Sequence, residues 1–134
     1  MKIILILAAC LFSLLTLSAH AEVGQTNVID AIATKPDQQE ALLLLHQSRP
    51  WNEESIELLN KKIAFYALAI SSESLVKQKP ELQGKKMKII VIYTKAPPSI
   101  VEDRLNELKS IFYKEHVVFV WGEQKDLATL TTKP

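Results

Sequence analysis

Residues 87–94 read MKIIVIYT, and this stretch decides the fold. In a strand, Ile89, Val91 and Tyr93 face one way and Ile90 and Ile92 the other. Both faces are apolar, which predicts a strand in the interior of a sheet. Pro97-Pro98 ends it. Ser99-Ile100-Val101-Glu102 reads as a capping box, the serine oxygen taking the Glu102 amide and the glutamate reaching back. The helix it opens carries Val101, Leu105, Leu108 and Phe112 on one face. His116 to Gly122 (HVVFVWG) is the next strand. A strand-helix-strand unit from Met87 to Trp121 is expected to cross over right-handedly, so its two strands pair in parallel.

Upstream lies a longer helix. Asn52 suits its N-cap, and Glu53 and Glu54 suit the positive end of the helix dipole. Ile56, Leu59, Ile63, Tyr66 and Ile70 form one apolar stripe, widened by Leu58, Phe65 and Ala69. Lys61 and Lys62 are read as pointing elsewhere. Leu75 to Lys86, with Pro80 and Gly84, is a connector. Val28 to Ala33 reads as a short strand and Pro36-Asp37 as a turn. Glu40 to Gln47 (EALLLLHQ) reads as the second strand of a hairpin, stopped by Pro50; a helix is the alternative for these residues. The predicted order is β-β-α-β-α-β. This is an α+β fold, a two-layer sandwich with a four-stranded mixed sheet and two helices on one face. The domain is expected over residues 22–122, with 123–134 a flexible, threonine-rich tail.

Residues 1–21 have the grammar of a secretory signal peptide: Met1-Lys2, an apolar run from Ile3 to Leu17, then Ser18-Ala19-His20-Ala21 with small residues at the cleavage positions. The run is shorter than the roughly 18–20 residues of a spanning helix. Cleavage after Ala21, a periplasmic or secreted location and no membrane span afterwards are the expectation. Leu7-Ala8-Ala9-Cys10 is the competing lipoprotein reading, with an anchor through Cys10. Cys10 is the one cysteine, so the cleaved chain has no disulfide, thiol nucleophile or cysteine ligand. The formal charge is +1, and removing Lys2 leaves equal numbers of basic and acidic side chains, which argues against nucleic acid as a partner.

The mature residues offer no catalytic, cofactor-binding or metal-ligating constellation. His46 and His116 stand far apart with no ligand-spaced partner. No serine has a G-x-S-x-G context, and Gly24, Gly84 and Gly122 cannot form a phosphate loop. Asp30 interrupts an apolar strand. Its favoured reading is the solvent face of ordinary alternation; the sharper one is an acid facing a cleft. Lys77, Lys79, Lys85, Lys86 and Lys88 make a basic patch, a contact for anionic headgroups or an acidic partner if it is not simply a solvated loop. Trp51 and Trp121 read as lids on the core, with binding anchors the alternative.

Val28-Ile29-Asp30-Ala31-Ile32, Trp51 before a helix, Leu59-x-x-Lys62-Ile63-x-x-Tyr66 within it, and Gly84-Lys85-Lys86-Met87-Lys88-Ile89 leading into a strand that ends at Pro97-Pro98 together resemble a family of small uncharacterised bacterial proteins, a domain of unknown function. Two features depart from it: the signal segment, and Thr34 to Gln39 in place of an acidic glycine-containing turn. The resemblance implies the element order and supplies no activity.

The expected function is a non-enzymatic binding module for a protein partner, inhibitor or immunity proteins being of this class, or for a second copy of itself. The motive is the apolar surplus. Helices cover one sheet face, and Leu42, Leu44, Ile90, Ile92 and Trp121 are the expected partner surface. The alternatives are an envelope-associated lipoprotein or structural protein and a small hydrolase using carboxylates. A tail folded back over the second face would remove the patch. Intact-mass measurement of protein recovered from the periplasm is expected to give a chain beginning at Glu22. A diacylated species beginning at Cys10 would promote the lipoprotein reading instead.

Overall fold

Period-two alternation in the strands and a 3.6-residue period in the helices sort the apolar side chains onto the two sides of one sheet. The computed structural model describes residues 29–34 and 39–132. The signal segment, Cys10 and most of the expected hairpin turn lie outside these residues. Strands β1 (Ala31–Thr34), β2 (Glu40–Gln47), β3 (Lys86–Tyr93) and β4 (Val118–Glu123) form a mixed sheet in the order β1-β2-β3-β4. β1 and β2 are antiparallel, with Ala31 opposite Leu44 and Ile32 opposite Leu43. β2–β3 and β3–β4 are parallel, with Leu44 opposite Ile90 and Ile90 opposite Val120. EALLLLHQ is therefore a strand, and β3 is central as its two apolar faces require.

Helix α1 (Glu53–Ser71) joins β2 to the connector, and α3 (Ser99–Lys114) joins β3 to β4. The connector holds a short helix, α2 (Ser74–Gln78), and a 3-10 turn at Pro80–Leu82. Both long helices pack on the same sheet face. Leu59, Ile63 and Tyr66 of α1 and Val101, Leu105, Leu108 and Phe112 of α3 share one core with Leu43, Leu45, Ile89, Val91 and Phe119. At the start of α1 the Asn52 side chain accepts the Ser55 amide at 2.9 Å, and the Ser55 hydroxyl accepts the Asn52 amide at 3.0 Å. This reciprocal cap satisfies two amides that the helix itself cannot.

Three expectations need correction. Ser99 does not cap α3. It is the first helical residue, and Pro98 holds the N-cap position, its carbonyl accepting the Val101 and Glu102 amides. Lys62 does not point away from the core. The buried line of α1 runs through Ser55, Leu59, Lys62, Tyr66 and Ala69, a stripe rotated toward Lys62 from the purely apolar one. The segment after β4 is not a loose tail. Gln124–Asp126 is a 3-10 turn and Leu127–Thr132 a helix, α4, whose Leu130 is buried against the sheet.

Ile63 is 3% exposed between α1 and the sheet. Ile63→Asp would bury an unpaired carboxylate at a cost of several kcal/mol, against the roughly 5–15 kcal/mol that holds a small domain folded. Loss of the cooperative thermal transition is expected by circular dichroism; an unchanged melting curve would show that this face is not core.

Candidate functional site

Two features stand out as candidates: a buried polar cluster on the helix side of the sheet, and an apolar seat on the other side. The cluster is centred on Asp30, the residue before β1. Ile32 faces the helices, so Asp30, two residues earlier, faces them too. The favoured solvent-face reading of Asp30 is thus overturned: the residue is 3% exposed. One turn of α1 presents Lys62 and Tyr66 to it. Lys62, fully buried, donates to Asp30 Oδ1. The His46 amide donates to Asp30 Oδ2 at 2.7 Å. The Asp30 amide donates to Tyr66 Oη at 2.8 Å, and the Tyr66 hydroxyl donates onward to the Leu44 carbonyl. Side chain and backbone together tie the β1–β2 edge of the sheet to α1.

Burial raises the Asp30 carboxyl above its ordinary value, more than Lys62 and the His46 amide lower it. Burial, with the Asp30 charge beside it, holds the Tyr66 hydroxyl well above the ordinary tyrosine value. A carboxyl raised in the folded state contributes stability below its unfolded value of 3.8 and loses it as pH rises through the folded value. The ionised pair is therefore a costly arrangement made tolerable by its hydrogen bonds, as buried pairs commonly are. Both carboxylate oxygens are engaged and the lysine is out of solvent, which leaves Asp30 poorly placed to attack or protonate a substrate. Its chemistry here is to fix the start of β1.

On the opposite face Ile90, Ile92, Val120 and Leu130 form a second apolar cluster, with Leu42, Leu44, Val118 and Leu127 partly buried against it. Four of the five residues expected as a partner surface, Leu42, Leu44, Ile90 and Ile92, are thus brought together. Trp121 is not among them. Alternation with Phe119 puts it on the helix side, its ring 5.8 Å from Phe119, with Lys109 Nζ 5.9 Å from its centroid. Trp51, the other tryptophan, packs partly buried on the helix-side core, and its indole donates to the Lys95 carbonyl at 2.8 Å.

The expected basic patch also loses a member. Lys77 and Lys86 are exposed and Lys79 sits 3.6 Å from Glu81, but Lys88 is 1% exposed and faces the second cluster. Its ammonium donates to the Thr131 carbonyl at 3.2 Å.

α4 covers Ile90 and Ile92, so they are not left in water. Leu130 sits over Gly122, where a Cβ would come within 2.8 Å of Leu130 Cδ1. The missing side chain is the hole that the leucine fills. A six-residue helix does not persist in water alone. Burial of Leu130 contributes about 1.5–3 kcal/mol, so α4 exists by virtue of this seat. The residues that sequence reasoning missed are Lys62, which interrupts an apolar helix stripe opposite an acid in an apolar strand, and Leu127 and Leu130, three apart in a polar segment.

Among the described residues no group of three or more His, Cys, Asp and Glu side chains is placed to hold a metal ion, and no helix is long and apolar enough to cross a membrane. Fold and site define a small α+β domain with two long helices on one face of a mixed sheet and a short C-terminal cover on the other. The chain belongs to a family of unknown function (DUF6572), whose model matches residues 21–125. No curated protein and no solved structure matches it. The match includes every strand and ends before α4.

Lys62→Met is expected to destabilise the domain by about 3–5 kcal/mol, because it strands the Asp30 carboxylate. In the double variant Asp30→Asn/Lys62→Met the amide oxygen still accepts from His46 and no charge is left buried. Denaturant unfolding should find the double variant more stable than Lys62→Met alone; losses that simply add would show that the two residues are not coupled.

Proposed function

We propose that this protein is an exported, non-enzymatic binding module that takes a protein partner on the second face of its sheet. The observation that carries the reading is the unequal covering of the two faces. Two long helices cover one, whereas Leu42, Leu44, Ile90, Ile92, Val118 and Val120 on the other meet a helix of six residues with one buried side chain. Apolar sheet faces of this kind are what protein partners cover. Ile90, Ile92 and Val120 are already buried beneath α4, so the area open to a partner is what Leu42, Leu44 and Val118 leave uncovered, at about 25 cal/mol per Å² before the cost of association. Export rests on the three-part pattern of residues 1–21. A hydrolase working through Asp30 is disfavoured by the engagement of both its carboxylate oxygens.

The test is a pull-down with the tagged, exported protein from its native envelope fraction, in parallel with Leu44→Glu. Leu44 is half-buried on the proposed surface. A partner captured by the wild type and lost with Leu44→Glu, while the variant keeps its thermal transition, is the expected result. Capture that is indifferent to Leu44→Glu, or no capture at all, would refute this surface.

A further inference from the structure

We infer that the seat beneath α4 is a groove for a leucine-bearing amphipathic helix of a protein partner, and that α4 is its built-in, displaceable occupant. The inference rests on the reading of the protein as a binding module and adds the kind of partner and its regulation.

The seat belongs to the family-matched domain, because Lys88, Ile90, Ile92, Val120 and Gly122 all lie within residues 21–125. Its occupant lies beyond them. The seat is shaped for one side chain: Gly122 leaves a hole among Ile90, Ile92 and Val120, and Leu130 fills it. It also has a polar end. The buried Lys88 ammonium takes the Thr131 carbonyl, in the last turn of α4, where the helix dipole is negative. A leucine in the hole and a helix C-terminus at the lysine are two requirements that any amphipathic helix of the right length meets. Helix-in-groove recognition reads such anchors at spacings of three and four, and Leu127 and Leu130 already show the first. Leu42 and Leu44 on β2 stay only partly buried beside the seat, so a helix longer than α4 gains contacts that α4 does not make.

α4 competes from within the chain. Its tether is the 3-10 turn Gln124–Asp126, which keeps it at high local concentration over the seat. Its own hold is the buried Leu130, the partly buried Leu127 and the Lys88–Thr131 hydrogen bond. A partner helix with a second anchor over Leu42 and Leu44 displaces it.

The experiment uses the full mature chain and, as probe, a fluorescently labelled peptide of residues 123–134. Wild-type protein, with α4 seated, is expected to bind the peptide weakly. Leu130→Asp in the full chain empties the seat and should tighten peptide binding at least tenfold. The peptide carrying Leu130→Asp should not bind either protein. A folded Leu130→Asp chain that binds no better than the wild type overturns the inference. If that variant lacks a thermal transition, Leu130→Ala takes its place and the same comparison decides. Wild-type dimers in sedimentation that disappear with Leu130→Asp would assign the groove to α4 of a second copy and overturn the partner assignment. Partner capture from the envelope without peptide binding defeats the groove alone, whereas peptide binding with an empty pull-down defeats the proposed function.

Discussion

The parallel pairing of β2 with β3 in the middle of the sheet is the constraint on which the rest depends. Their register runs without interruption from Glu40 opposite Lys86 to Gln47 opposite Tyr93. Both strands have a neighbour on each side, so their side chains can only point into one layer or the other. Leu43, Leu45, Ile89 and Val91 fill the layer beneath α1 and α3; Leu42, Leu44, Ile90 and Ile92 fill the opposite one. Parallel sheets are ordinarily covered on both faces for this reason. Both crossover helices here sit on one face, and among the described residues the second face is covered by the helix after the last strand.

The Asp30–Lys62–Tyr66 cluster answers a different need. β1 is four residues long and, among the described residues, lies at the edge of the sheet with β2 beside it. So short a strand contributes little to its own retention. Asp30 supplies the acceptor for the His46 amide just beyond the β1–β2 ladder, and Tyr66 satisfies the Asp30 amide and the Leu44 carbonyl at once. The edge is thus bonded through side chains from the helix layer where backbone pairing stops. Desolvation of Asp30 and Lys62 is the cost. Geometric definition of the edge is the gain, since a charge pair that must meet in one place tolerates no slipped register.

Much of this was legible in the sequence. The two-faced apolarity of MKIIVIYT places β3 in the interior, and the crossover rule gives the parallel pairing of β3 with β4; the parallel pairing of β2 with β3 does not follow from either. The family resemblance pointed to a family of unknown function, to which the chain does belong. Lys62 was hidden because a lysine is assigned to solvent by habit, although Leu59, Lys62, Tyr66 and Ala69 have the spacing of a single face. Trp121 lies on the helix side with Phe119, as strand parity requires, and not with Leu42 and Ile90. α4 was illegible for a physical reason. LATLTT is half threonine and too short to hold a helix alone, and its helix forms because a tertiary seat receives Leu130.

Lys88 explains why the second face is more than a greasy surface. A lysine within so apolar a strand must have acceptors, because an ammonium out of water without them is far costlier than any single apolar contact is favourable. In this chain the Thr131 carbonyl is one of those acceptors. Lys88 has a further interaction besides this one, so the Thr131 bond positions the last turn of α4 and is not the whole of the lysine's satisfaction. The bond to the Thr131 carbonyl favours a helix that ends over the cation, as α4 does. The leucine hole at Gly122 beside it sets the register in which α4 makes both contacts at once.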